Sequence, residues 1–148
     1  MRIDFDFHGD KQFSRDLLRI GGAATNLAPA FYAITKQLEG IESEQFASEG
    51  GRGGAAWAAL SPATVAAKGH DTILVDTGDM RASLTGRTQH SIRKVGMQRL
   101  IFGSSVGYVG FHQHGTARMP QRRALNLREG DRKAIVKVIQ AWVLGGGV

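Results

Sequence analysis

Three short stretches carry residue types that do chemistry in other proteins. In His112-Gln113-His114, two imidazoles stand two residues apart. On a strand they would share one side and could ligate zinc; on a helix they would fall on different faces. No HExxH motif and no neighbouring Asp or Glu completes a tetrahedral set, so packing and hydrogen bonding are the expected tasks of His112 and Gln113. Gly103-Ser104-Ser105-Val106-Gly107 fits the bare pattern of a nucleophile elbow around Ser105. It lacks the apolar strand before and the long helix after, and the only acids downstream are Glu129 and Asp131, so a hydrolase triad is not expected. Gly50-Gly51-Arg52-Gly53-Gly54 has the glycines of a phosphate cradle without the Lys-Ser or Lys-Thr that would complete it, and reads as a flexible loop. Absence of cysteine excludes disulfides, thiolate metal sites and cysteine nucleophiles. The residues therefore assign no catalytic, cofactor-binding or metal-binding position, and the chain reads as a non-enzyme.

Charge is more informative. Residues 1–80 carry seven Lys and Arg against eleven Asp and Glu, whereas residues 81–148 carry twelve against two. The densest basic group is Arg118, Arg122, Arg123, Arg128, Arg132, Lys133 and Lys137. Such a group can contact phosphates without reading sequence, can meet an acidic neighbour, or can remain a solvated face. No zinc finger, RNP motif or clear helix-turn-helix accompanies it.

The elements that must position these residues follow from periodicity. Ile3, Phe5 and Phe7 alternate with Asp4, Asp6 and His8, which predicts a strand. Residues 10–20 suit a short helix capped by Asp10 and broken at Gly21-Gly22. Leu27, Phe31, Ile34, Leu38 and Ile41 predict a helix over residues 26–46, with Asn26 as cap and Pro29 in the first turn. Glu39, Glu42, Glu44 and Glu49 make its far end acidic, against the helix dipole, so external cations are expected there. Residues 47–76 form a long glycine-rich connection, read as an assembly loop anchored by Trp57 and Leu60, with a short helix over residues 63–68. A short helix at 77–84, a hairpin of strands at 91–95 and 99–102 turning at Gly96-Met97, an ambiguous segment at 108–114, a brief strand at 125–127 and a final helix stopped by Gly145 complete the pass. The whole predicts one α+β domain over residues 1–148: a mostly antiparallel sheet of about four strands packed against two long helices. No apolar run approaches the roughly 20 residues of a membrane span, and the first residues lack a signal peptide pattern, so synthesis in the cytoplasm without membrane contact is expected.

An ordered series of short motifs runs through the second half of the chain. It comprises Trp57-Ala58-Ala59-Leu60-Ser61-Pro62-Ala63-Thr64, Lys68-Gly69, Ile73-Leu74, Thr77-Gly78-Asp79-Met80-Arg81-Ala82-Ser83-Leu84, Gly103-Ser104, Tyr108, His112-Gln113, Gly115, and Pro120 with Arg122 and Leu125. In this order they resemble the phage virion morphogenesis family, the Mu-like tail-completion proteins related to the neck proteins of long-tailed phages. The family pattern has Leu where Met80 stands and Pro where Arg123 stands. The resemblance implies a non-catalytic virion protein, made in the host cytoplasm, that completes the neck or tail at the head–tail junction, with tail termination among its possible roles. It implies partners too: identical subunits in a ring, a hexamer in preference to a dodecamer, other neck, connector or tail-tube proteins, and passing DNA contacted non-specifically. On that reading Trp57, Leu60, Glu42, Glu44, Arg118 and Pro120 are expected at subunit or partner interfaces, and Arg122, Arg123, Arg128, Arg132 and Lys133 on a DNA-facing basic face. The alternative is a small non-specific DNA-binding protein using the basic C-terminal half.

Overall fold

A computed structural model describes residues 11–145, with side chains from Leu18 onward. Among these residues are helices α1 (Lys11–Thr25), α2 (Ala28–Ala47), α3 (Pro62–Lys68), α4 (Asp79–Thr85), α5 (Val109–His114) and α6 (Glu129–Val143), a 3-10 turn at Gly51–Gly53, and strands β1 (Ser91–Val95) and β2 (Leu100–Ser104). The strand expected at residues 3–7 and the cap expected at Asp10 lie outside the described residues.

Helix α2 is the axis of the domain. Its apolar stripe of Phe31, Ile34, Leu38 and Ile41 is buried, and so are Thr35, Glu39, Glu42 and Gln45 beside it. The burial extends so far round because α4, α6 and both strands all pack on this one helix. Pro29 stands in the first turn, where a missing N–H costs nothing. The cap position belongs to Leu27 rather than Asn26, although Asn26 Oδ1 still accepts from the Ala28 amide at 3.2 Å. Gly21 and Gly22 do not break α1, which continues to Thr25. Helix glycines cost about 1 kcal/mol each relative to Ala, and packing of α1 on α6 offsets that here. Trp142 fixes the α1–α2 junction by donating its indole N–H to the Asn26 carbonyl at 2.9 Å.

The strands pair antiparallel from Ser91 with Ser104 to Val95 with Leu100, and the Gly96 amide closes the turn on the Arg99 carbonyl at 2.8 Å. This is the hairpin expected at Gly96-Met97, but among the described residues the sheet has two strands rather than about four. Residues 108–114 resolve to helix α5. Residues 125–127 are not a strand, because the Gln113 side chain takes the place of a partner strand: it accepts from the Leu125 amide at 3.1 Å and donates to the Leu125 carbonyl at 2.8 Å. The α+β class holds with this smaller sheet.

Two apolar clusters result. One joins the α2 stripe to Ile135, Val138 and Ile139 of α6; the other gathers Phe46, Trp57, Ile73, Leu74, Met80, Leu84, Val109 and Ala124. Phe102 of β2 packs against both.

Candidate functional site

The functional candidates gather where the chain after α2 folds back over the start of α6. Glu49 and Gly50 both take positive φ, turning the chain sharply at the end of α2. The Trp57 ring then seats so close that a Cβ on Gly50 would stand 2.5 Å from it, which only glycine permits. Gly53 is held equally close by the Asn126 amide. Composition reads the glycines of this segment as mobility, but in the structure Gly50 and Gly53 answer to close contacts.

Arg52, carried by the 3-10 turn, reaches the first turn of α6. Its two terminal nitrogens donate to the two carboxylate oxygens of Asp131, one at 2.8 Å, and its Nε donates to Glu44 at 2.7 Å. Only 8% of the Arg52 and Asp131 side chains is exposed, so the bidentate pair is largely shielded from water. These hydrogen bonds hold the Asp131 carboxyl down at about 2 and push the Arg52 guanidinium up. Asp131 also accepts from the Arg128 amide at 2.8 Å, capping α6.

The acidic end of α2 therefore meets cations of its own subunit. Glu39 pairs with Arg93 at 3.3 Å, Glu44 with Arg52, and Glu49 accepts from the Ile73 amide at 3.0 Å. Glu42 is 1% exposed, and burial pushes its carboxyl up to about 8, against the pull of Arg52 and Arg93. This takes the Glu42 side chain off the subunit surface, because the face of α2 that carries it is turned inward; Glu44 alone of the two stays exposed.

Arg122 is likewise inward. It is 6% exposed, and its guanidinium donates to the carbonyls of Ala58 at 2.6 Å and Ala59 at 2.9 Å. It ties down the segment after Trp57 and leaves the outward basic face. Trp57, 8% exposed, packs edge-on against Phe46 and donates to the Arg123 carbonyl at 3.0 Å, so its anchoring contact is within the subunit. Leu60 and Pro120 line a cleft of about 650 Å³ with Lys68, Met80, Tyr108 and His112. Burial, with Arg122 and Lys68 nearby, lowers the His112 pKa.

Of the cations expected at an interface or on a DNA-facing surface, Arg118, Arg123, Arg128, Arg132 and Lys133 are exposed. Arg128 stands 3.7 Å from Asp131 and Lys133 stands 3.8 Å from Glu129, while Arg118, Arg123 and Arg132 form no ion pair among the described residues.

The chemistry-bearing motifs do not assemble into a reacting centre. Helix α5 sets His112 and His114 on different faces. Ser105 Oγ lies 3.4 Å from Nδ1 of His90, and the other ring nitrogen of His90 meets the Gln89 amide at 3.3 Å rather than a carboxylate.

Sequence reasoning overlooked Arg93. From β1 its guanidinium donates to the carbonyls of Ser83, Leu84, Gly86, Ile92 and Gly103 and lies 3.8 Å from the Phe102 ring centroid. The available signal was strand parity, since Arg93 shares a face with Val95 of the α2 cluster.

The model of the phage virion morphogenesis family matches residues 9–144 of the chain. No curated protein and no solved structure matches it.

Proposed function

The chain belongs to the phage virion morphogenesis family, and from that premise we propose that it is a non-catalytic structural protein of the head–tail junction, completing the neck or the tail end as a ring of identical subunits through which DNA passes. The family already makes it a phage morphogenesis protein associated with the virion. The observation that carries the finer reading is the exposed basic run after residue 117, in which Arg118, Arg123 and Arg132 form no ion pair among the described residues, whereas the inward arginines Arg52, Arg93 and Arg122 are matched within the subunit. Unmatched guanidinium groups on a rigid surface attract phosphates or the acidic surface of a neighbour, and non-specific contact lets DNA slide. The ring is read as a hexamer before a dodecamer. Leu60, Pro120 and Arg118, which line one cleft, are the residues placed toward a neighbouring subunit or another neck protein, with Glu44 at its exposed position.

Cryo-electron microscopy of intact particles tests this reading. Density for this chain as a ring between portal and tail is the expected result. Its absence from purified virions, together with tight duplex binding by the free monomer, would favour the small DNA-binding protein instead.

A further inference from the structure

A second pocket, of about 470 Å³, opens beside Gln113 and Arg123. Leu38, Phe102 and Leu127 supply apolar walls, and Arg123 and Arg132, both exposed and without ion pairs among the described residues, stand on its polar side. Glu42 lines it as well, 1% exposed, with Oε2 buried and without a hydrogen-bond partner among the described residues.

Resting on the ring reading above, we infer that this pocket receives residues 3–7 of an adjacent copy of the chain, with Phe5 against the apolar walls and Asp4 and Asp6 paired with Arg123 and Arg132. Two arguments choose this occupant. The pocket asks for a segment that is apolar on one side and anionic on the other, and Ile3-Asp4-Phe5-Asp6-Phe7 alternates in that way. Its two carboxylates match in number and sign the two guanidinium groups that form no ion pair among the described residues. Glu42 does not oppose the approach: the groups facing it are Arg52, Arg93 and Asp131 besides the pocket arginines, and with its carboxyl held up at about 8 it is mostly uncharged near neutral pH. An incoming acid therefore meets two positive charges and a neutral floor. One such contact from each copy to the next is a heterologous interface, the kind that closes into a ring.

A benzophenone-bearing phenylalanine analogue at position 5 of the full chain tests the inference. Irradiation should give covalent dimers in which position 5 is linked to residues 38–42 or 121–127. Arg123→Glu with Arg132→Glu should lower the yield about tenfold through loss of both charge pairs. Asp4→Lys with Asp6→Lys should lower it similarly without altering the pocket, which guards against a pocket variant that folds poorly. A product of monomer mass, links to other residues, or a yield unmoved by either charge reversal overturns the inference. Light scattering on the same samples separates it from the ring reading. Rings whose cross-links fall elsewhere overturn the docking alone, whereas pocket cross-links in a species that never exceeds a dimer overturn the ring and leave the docking standing.

Discussion

Glu42 and Asp131, both within the field of Arg52, give stability opposite dependences on pH. The Glu42 carboxyl is raised from 4.5 to about 8, so the folded chain keeps a proton that the unfolded chain has released between those values. Its contribution is complete below about pH 4.5 and is lost as pH rises through about 8. Glu42→Gln, which cannot ionise, should raise stability at pH 9 by roughly 2–3 kcal/mol relative to the parent and change it little at pH 5. Denaturant melts at the two pH values check this, and parallel pH profiles for parent and variant would show that the buried carboxyl carries no such penalty. Asp131 is lowered from 3.8 to about 2, and its contribution is present above pH 3.8 and disappears as pH falls through about 2. Asp131→Asn should therefore cost on the order of 2 kcal/mol at pH 7 and much less at pH 2, where about half of the folded chain's Asp131 is already protonated. Circular dichroism melts across that range decide it.

Between residue and domain the unit that matters is the segment from Ser48 to Asp76, which wraps a second cluster around Trp57. Gly50→Ala would place a methyl group against the Trp57 indole at a φ of +88°, and should destabilise the fold by about 2–4 kcal/mol. A lowered Tm together with a red-shifted tryptophan emission is the expected signature. Hydrogen exchange divides the segment further: the Trp57 amide, bonded to the Glu49 carbonyl at 2.7 Å, should be protected in the free subunit, and the exposed residues 58, 59, 71 and 72, outside α3, should gain protection only in the assembled particle if this stretch is an assembly element. The helices α2 and α6 were legible in the sequence because their apolar spacing is long and regular, and the hairpin because two short runs flank the Gly96-Met97 turn. The wrap was not, because its cause is pairwise: Gly50 reads as a loop glycine until Trp57 is seen against it, and Arg52 reads as part of a loop until Asp131 is placed opposite. Arg122 misled for a related reason, since a basic run gives no sign of which member meets two carbonyls. Leu125 read as strand because its backbone is indeed paired, though to a side chain, a partner that periodicity cannot reveal.

At the scale of the whole molecule, inward and outward arginines lead to different failures, and that difference tests the proposed task. Arg122→Glu would bury an anion against the carbonyls of Ala58 and Ala59, which already carry partial negative charge, and should cost about 3–5 kcal/mol with loss of soluble protein. Reversing Arg123, Arg128 and Arg132 to Glu instead changes exposed groups, whose substitution usually alters stability by about 0.5 kcal/mol or less each. Arg128 adds only an exposed 3.7 Å contact to Asp131, whose principal partner is Arg52. The triple variant should fold with nearly the parent Tm and yet fail in head–tail joining or DNA passage, giving at least tenfold fewer infectious particles, because six units of charge separate its face from the parent's and phosphate and carboxylate partners respond to that sum. Titre in a complementation assay, set beside the Tm of the purified subunit, distinguishes the two cases. A normal titre from the triple variant would make the basic face a solvated surface and remove the observation on which the DNA-passing ring rests.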